Sequence, residues 1–124
     1  MKKWQTLDRH HQYTSTIFKH EMVKRSSPDT GAEGVFDVVH CLNWVNIIPV
    51  TPEAEVVLVR QYRHGVDEMT LEVPGGAVHR GEEFEKAARR ELEEETGYRA
   101  NKWINPGAVD PNPAFMSNKC ATFL

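Results

Sequence analysis

The chain has 124 residues, 40% of them hydrophobic and 27% charged, and a formal net charge of -3. That suits one soluble domain and leaves no room for two full cores. The acidic balance offers no basic footprint for nucleic acid, although a metal and a few arginines would still let such a chain hold an anionic small molecule. Cys41 and Cys120 have no paired metal spacing and read as thiols in a reducing compartment. Lys2 and Lys3 lead into no apolar signal region, and no run approaches a membrane span. The expected location is therefore cytoplasmic, with no membrane partner.

Residues 1–42 read as a small β meander. Tyr13 to Phe18 is predicted as a strand and Glu21 to Arg25 as its partner. Ser26 to Gly31 is a turn cluster, and Val35 to Leu42 is a third strand. Such a meander is too small to stand alone. It must pack on the following domain, on a second copy of the chain, or on both. Asn43 to Val50 and Val56 to Arg63 flank the turn Thr51 to Glu55 and are predicted as a hairpin. His64 to Asp67 is a loop. Met69 to Val73 is a short strand stopped by Pro74, Gly75 and Gly76. A helix follows. Lys102 to Ile104 is predicted to begin a strand, Pro106 to Pro113 to be a loop, and Cys120 to Leu124 to be a last strand. This order predicts a mixed α/β fold with one helix against a sheet.

The helix carries the chemistry. Ala87, Ala88, Leu92 and the surrounding Glu, Lys and Arg residues are good helix formers. Gly97 suits a left-handed end. At about 100° per residue, Phe84, Ala87 and Ala88 form an apolar stripe that continues into Glu91 and Glu95, with Glu94 beside them. Carboxylates on a core-facing stripe need a cation, because unpaired buried charge is expensive. Oxygen ligands favour a hard divalent ion, Mg²⁺ or Mn²⁺. The competing reading is a solvated acidic helix paired with Lys86, Arg89 and Arg90.

The stretch from Gly76 to Tyr98 resembles a complete Nudix box, G-x5-E-x7-R-E-U-x-E-E-x-G-U. Gly76, Glu82, Arg90, Glu91, Leu92, Glu94, Glu95 and Gly97 fill the fixed places, and Tyr98 takes the last apolar one. So many positions at set spacing make a specific signal, though the box covers less than a fifth of the chain. The flanks, Arg60-Gln61-Tyr62-Arg63 and Leu71-Glu72-Val73-Pro74-Gly75-Gly76, are similar to the ADP-ribose pyrophosphatase and nucleoside-diphosphate-sugar hydrolase branch. The resemblance implies an α/β/α sandwich around a mixed sheet. It implies residues 1–42 as an N-terminal arm that helps build a homodimer, and residues 43–124 as a Nudix domain. It also implies more sheet, a final helix and a further carboxylate after this point, so the domain is expected to be truncated at its C-terminus.

The expected activity is hydrolysis of the pyrophosphate bond of a nucleoside diphosphate sugar, of ADP-ribose or GDP-mannose type. The products are a nucleoside monophosphate and a sugar phosphate. Glu91, Glu94 and Glu95 are the catalytic and metal-ligating candidates, and the Gly75 carbonyl is a further ligand. Glu82 and Arg90 are implied by the resemblance to pair and lock the loop to the helix. Arg60 and Arg63 are either phosphate contacts or solvated strand-end charges. Glu72 either accepts from substrate or orients an arginine. Trp44 either stacks on the nucleotide or is a core aromatic. After Gly97 the one carboxylate before the C-terminus is Asp110, which reads as a turn residue. Two other readings compete. One is a Nudix-like sensor that binds ADP-ribose, against which the intact glutamate set argues. The other is a hydrolase of nucleoside triphosphates or dinucleoside polyphosphates.

Overall fold

The computed structural model describes residues 2–124. The chain falls into two compact units, Met1–Leu42 with Asp110–Asn118, and Asn43–Val109 with Lys119–Leu124.

In the first unit, β1 (Gln5–Thr14), β2 (Phe18–Ser26) and β3 (Glu33–Cys41) form an antiparallel meander with β2 in the middle. The expected strand at Tyr13 to Phe18 is a turn instead. Ser15 Oγ accepts the amides of Ile17 and Phe18, and Ser15 N–H donates to the Phe18 carbonyl. A local side-chain turn of this kind competes with the ladder. β1 was not anticipated, because all ten of its residues are exposed and no apolar alternation marks it. Phe115 to Ser117 extends the β3 edge through a Val39 to Met116 bridge. Glu21, nearly buried, accepts from Lys19, Arg9 and His40, and these partners hold its carboxyl at about 2.

The second unit is built on β4 (Trp44–Ile47). It pairs antiparallel with β7 (Gly75–Ala77) and parallel with β9 (Cys120–Phe123), whose far edge takes β8 (Gly107–Val109). The sheet is thus mixed, in the order β7-β4-β9-β8. Alternation along β4 sends Val45 and Ile47 to one face, where α1 (Phe84–Thr96) lays Ala87, Ala88 and Leu92 against them, with Val78, Ala121 and Phe123 completing the core. Two alanines in a row let the helix approach closely. Each fully buried Leu, Ile or Phe in such a core contributes about 1.5–3 kcal/mol.

Four expectations fail here. The hairpin between Asn43 to Val50 and Val56 to Arg63 is reduced to a Val50 to Val56 bridge, with the Thr51 amide on the Glu55 carbonyl and the Val57 amide on the Pro49 carbonyl. Pro49 has no N–H to give a ladder. β5 (Val59–Arg63) pairs with β6 (Glu68–Glu72) in a separate two-stranded ribbon. Gly75 and Gly76, read as a strand stop, belong to a strand. Lys102 to Ile104 forms no strand, although Ile104 and Leu124 exchange backbone hydrogen bonds, and the expected 106–113 loop contains β8. That strand lies at the sheet edge with Pro106 and Pro111 outside it, where proline is tolerated.

Candidate active site

The acids lie in the second half of α1, whose last turn contains no basic residue. Carboxylates there face the negative end of the helix dipole and destabilise it unless a counter-charge is near. Arg90 is one such counter-charge. Its Nη1 donates to Glu91 Oε1 at 2.6 Å and to Glu94 Oε2 at 3.2 Å. Its Nε and Nη2 grip both oxygens of Glu82 at 3.1 and 3.0 Å, and Nη2 also reaches the Ala77 carbonyl at 3.0 Å. One guanidinium therefore joins the helix, the β7 edge and the loop between them.

Glu82 also accepts the His79 amide at 2.9 Å. The Arg90 guanidinium first, and the His79 N–H second, hold its carboxyl at about 2 against an ordinary 4.5. A depressed carboxyl contributes its stability fully above the unfolded value and loses it as pH falls through the folded one. From pH 4.5 down to about 2 the melting temperature of the wild type should therefore fall more steeply than that of Arg90→Ala, in which Glu82 has no guanidinium partner. At neutral pH the variant should already melt lower. Parallel melting-temperature profiles in a pH series would remove the lock.

Glu91 is largely covered, with 13% of its side chain exposed, and Glu94 is open at 58%. The Glu91 carboxylate packs over Gly76, where any Cβ would run into it; a Cβ on Gly75 would strike the Val45 carbonyl. Glu95 is half-buried. Its Oε2 accepts the Gly75 amide at 2.9 Å and its Oε1 accepts Gln61 Nε2 at 2.5 Å.

The ribbon contributes next. Paired residues of β5 and β6 share a face, so Val59, Gln61 and Arg63 lie with Glu68, Thr70 and Glu72. Gln61 turns that face toward Glu95, and the Glu95 charge is among those that raise the Arg63 guanidinium. Arg63 donates to both oxygens of Glu72 at 2.8 and 2.7 Å, and Thr70 donates to Glu72 Oε1. Glu72 thus orients an arginine. Arg63 first, then Thr70, keep its carboxyl at about 2. Arg60 pairs opposite Leu71 and points to the other face of the ribbon. Trp44 alternates with Val45 and Ile47 and lies on the sheet face away from α1. The structure therefore gathers Gly75, Gly76, Glu91, Glu95, Arg63 and Glu72, and leaves Arg60 and Trp44 outside this group. Gln61 was missed, although its spacing of two from Arg63 in a strand was a usable signal.

Among the described residues no three or more His, Cys, Asp or Glu side chains are gathered into a ready metal cage. The donor set nonetheless fits a hard divalent ion: carboxylate oxygens on one helical turn, beside glycines that leave space. Each carboxylate oxygen has two lone pairs, so one accepted hydrogen bond leaves it able to take a cation.

A mixed sheet carrying one acid-bearing helix, locked by an arginine to a glycine strand, defines the class of domain. The NUDIX domain family model matches residues 43–118, and the chain belongs to the Nudix family. It is 39% identical over 80 residues to the ADP-ribose pyrophosphatase of Bacillus subtilis (strain 168), covering 64% of this chain and 43% of that one. It is 46% identical over 84 residues to the ADP-sugar pyrophosphatase of Mus musculus, covering 64% and 38%. The methanol dehydrogenase activator of Bacillus methanolicus is 34% identical over 104 residues, covering 79% and 56%. A crystal structure of an ADP compounds hydrolase superposes with a TM-score of 0.85 at 25% identity, covering 99% of this chain and 66% of that one. The chain spans about half the length of the curated relatives it matches. No helix among the described residues is long and apolar enough to cross a membrane.

Proposed function

We propose that this chain carries the catalytic helix of a divalent-metal hydrolase that cleaves the pyrophosphate bond of a nucleoside diphosphate sugar, ADP-ribose foremost and GDP-mannose as a second candidate. The observation that carries this reading is the meeting of Glu91 and Glu95 with the Gly75–Gly76 edge, beside the ribbon face that holds Arg63. Nudix hydrolases generally use a divalent metal. The ligands proposed here are Glu91, Glu95, the Gly75 carbonyl and the more open Glu94. Mg²⁺ or Mn²⁺ held by these residues would supply charge compensation for the pyrophosphate oxygens and a more nucleophilic water.

The protein groups divide the remaining work. Arg63, fixed in orientation by Glu72, offers a planar cation to the anionic substrate. Arg90 holds Glu91 and Glu94 in place and ties their helix to β7. Hydrolysis breaks one P–O bond of the bridge. Oxygen from water joins one phosphorus, and the other phosphate leaves with the bridging oxygen. A homodimer built through residues 1–42 remains part of the proposal, and light scattering at micromolar concentration decides it.

A panel of ADP-ribose, GDP-mannose, UDP-glucose, NADH, dATP and a dinucleoside tetraphosphate, each with Mg²⁺, Mn²⁺ and EDTA, tests the activity. Nucleoside monophosphate release should be fastest from ADP-ribose and absent with EDTA. Tight ADP-ribose binding without turnover would make the protein a sensor. Faster turnover of dATP would move the substrate class.

A further inference from the structure

Glu95 differs from its neighbours in what holds it. Glu91 and Glu94 face the charged Arg90, whereas both donors on Glu95 are neutral: the Gly75 amide from β7 and the Gln61 amide from β5. Neutral donors do not cancel the charge of a carboxylate. They set its plane. With one oxygen tied to each of two strands, the long Glu95 side chain loses the freedom that would otherwise be frozen out when a cation binds. Outer groups that orient a ligand in this way are worth much of its affinity for metal.

Gln61 is also placed to link two events. It stands two residues before Arg63 on the same face of β5, so Glu95 and Arg63 are connected through a stretch of three residues and one hydrogen bond. We propose that Gln61 is a positioning residue for Glu95, fixing that carboxylate for a divalent cation and joining it to the strand that presents Arg63 to the substrate. This rests on the reading of α1 as a metal-binding helix.

Mn²⁺ affinity, measured by electron paramagnetic resonance of the free ion without substrate, is the readout. Gln61→Leu keeps the bulk of the side chain and removes the amide. It should weaken Mn²⁺ binding about 10- to 100-fold, while the metal-free protein melts close to wild type. Gln61→Asn keeps the amide one methylene short of Glu95 and should move affinity in the same direction, so a poorly folded Leu variant leaves the question open to test. Wild-type Mn²⁺ affinity in a folded variant overturns the assignment. If the wild type binds no Mn²⁺, or Glu95→Gln binds it equally well, the metal reading itself is overturned. If Glu95→Gln loses Mn²⁺ and both Gln61 variants keep it, only the role of Gln61 is lost.

Discussion

Glu95→Gln is expected to abolish hydrolysis, by more than about 100-fold, while the protein keeps its fold. The substitution preserves shape. The Gly75 amide still finds a carbonyl oxygen, and Gln61 turns its own amide over to meet the new NH₂. What disappears is the negative charge proposed to hold a hard cation. Loss of a group that merely orients a metal ligand already costs 10- to 100-fold, and loss of the ligand's charge should cost more. Nucleoside monophosphate release under saturating Mg²⁺, with circular dichroism as the folding control, provides the measurement. Turnover equal to wild type would mean that α1 is an acidic surface helix and the cation lies elsewhere.

The two glycines of β7 should respond to alanine in opposite ways. Gly75→Ala drives a methyl group into the Val45 carbonyl, which is backbone inside a ladder and has nowhere to go. The strand must separate, and overpacking of this kind costs about 1–3 kcal/mol. At about 4–8 °C per kcal/mol for a domain of this size, a thermal melt resolves the loss. Gly76→Ala meets only the end of the Glu91 side chain, which swings aside by rotation. Its melting temperature should stay near wild type, and its metal affinity and turnover should drop. Should both variants melt alike, or Gly76→Ala remain fully active, the close packing of Glu91 on β7 is not what sets the site.

Residues that act through polar spacing were the most legible in the sequence. Glu91 and Glu95 stand out because they continue the apolar stripe of Phe84, Ala87 and Ala88, where a core-facing helix would place Leu or Ile; Glu82 and Arg90 are marked only by the resemblance to the Nudix box. The strands were less legible where their partners are distant. Trp44 pairs with Cys120, so no local pattern identifies the neighbour of β4, and the nearer apolar run from Val56 is the partner that local spacing suggests. β7 is two glycines and an alanine, a composition that reads as a break. It pairs closely with β4 because neither glycine carries a Cβ, which on Gly75 would strike the Val45 carbonyl and on Gly76 the end of the Glu91 side chain. β1 left no trace for a different reason: a strand exposed along its whole length has no buried face to pattern. Arg60 and Arg63 look equivalent in sequence. Strand alternation separates them, and register decides which one shares a face with Gln61.

The contacts of Arg90 give the acids of α1 a counter-charge of the chain's own. A domain whose acids depend wholly on an external ion collapses when that ion is stripped, because loading and folding are then one equilibrium. Here the chain brings its own resident positive charge, covalently attached and gripping Glu82, Glu91, Glu94 and the Ala77 carbonyl at once. Docking of the helix on its sheet should therefore not require an ion. Three carboxylates against one guanidinium still leave the patch negative, so the proposed cation would meet a preformed, attractive surface. On the proposed reading, the ion would exchange with the surrounding solution while the protein keeps its shape.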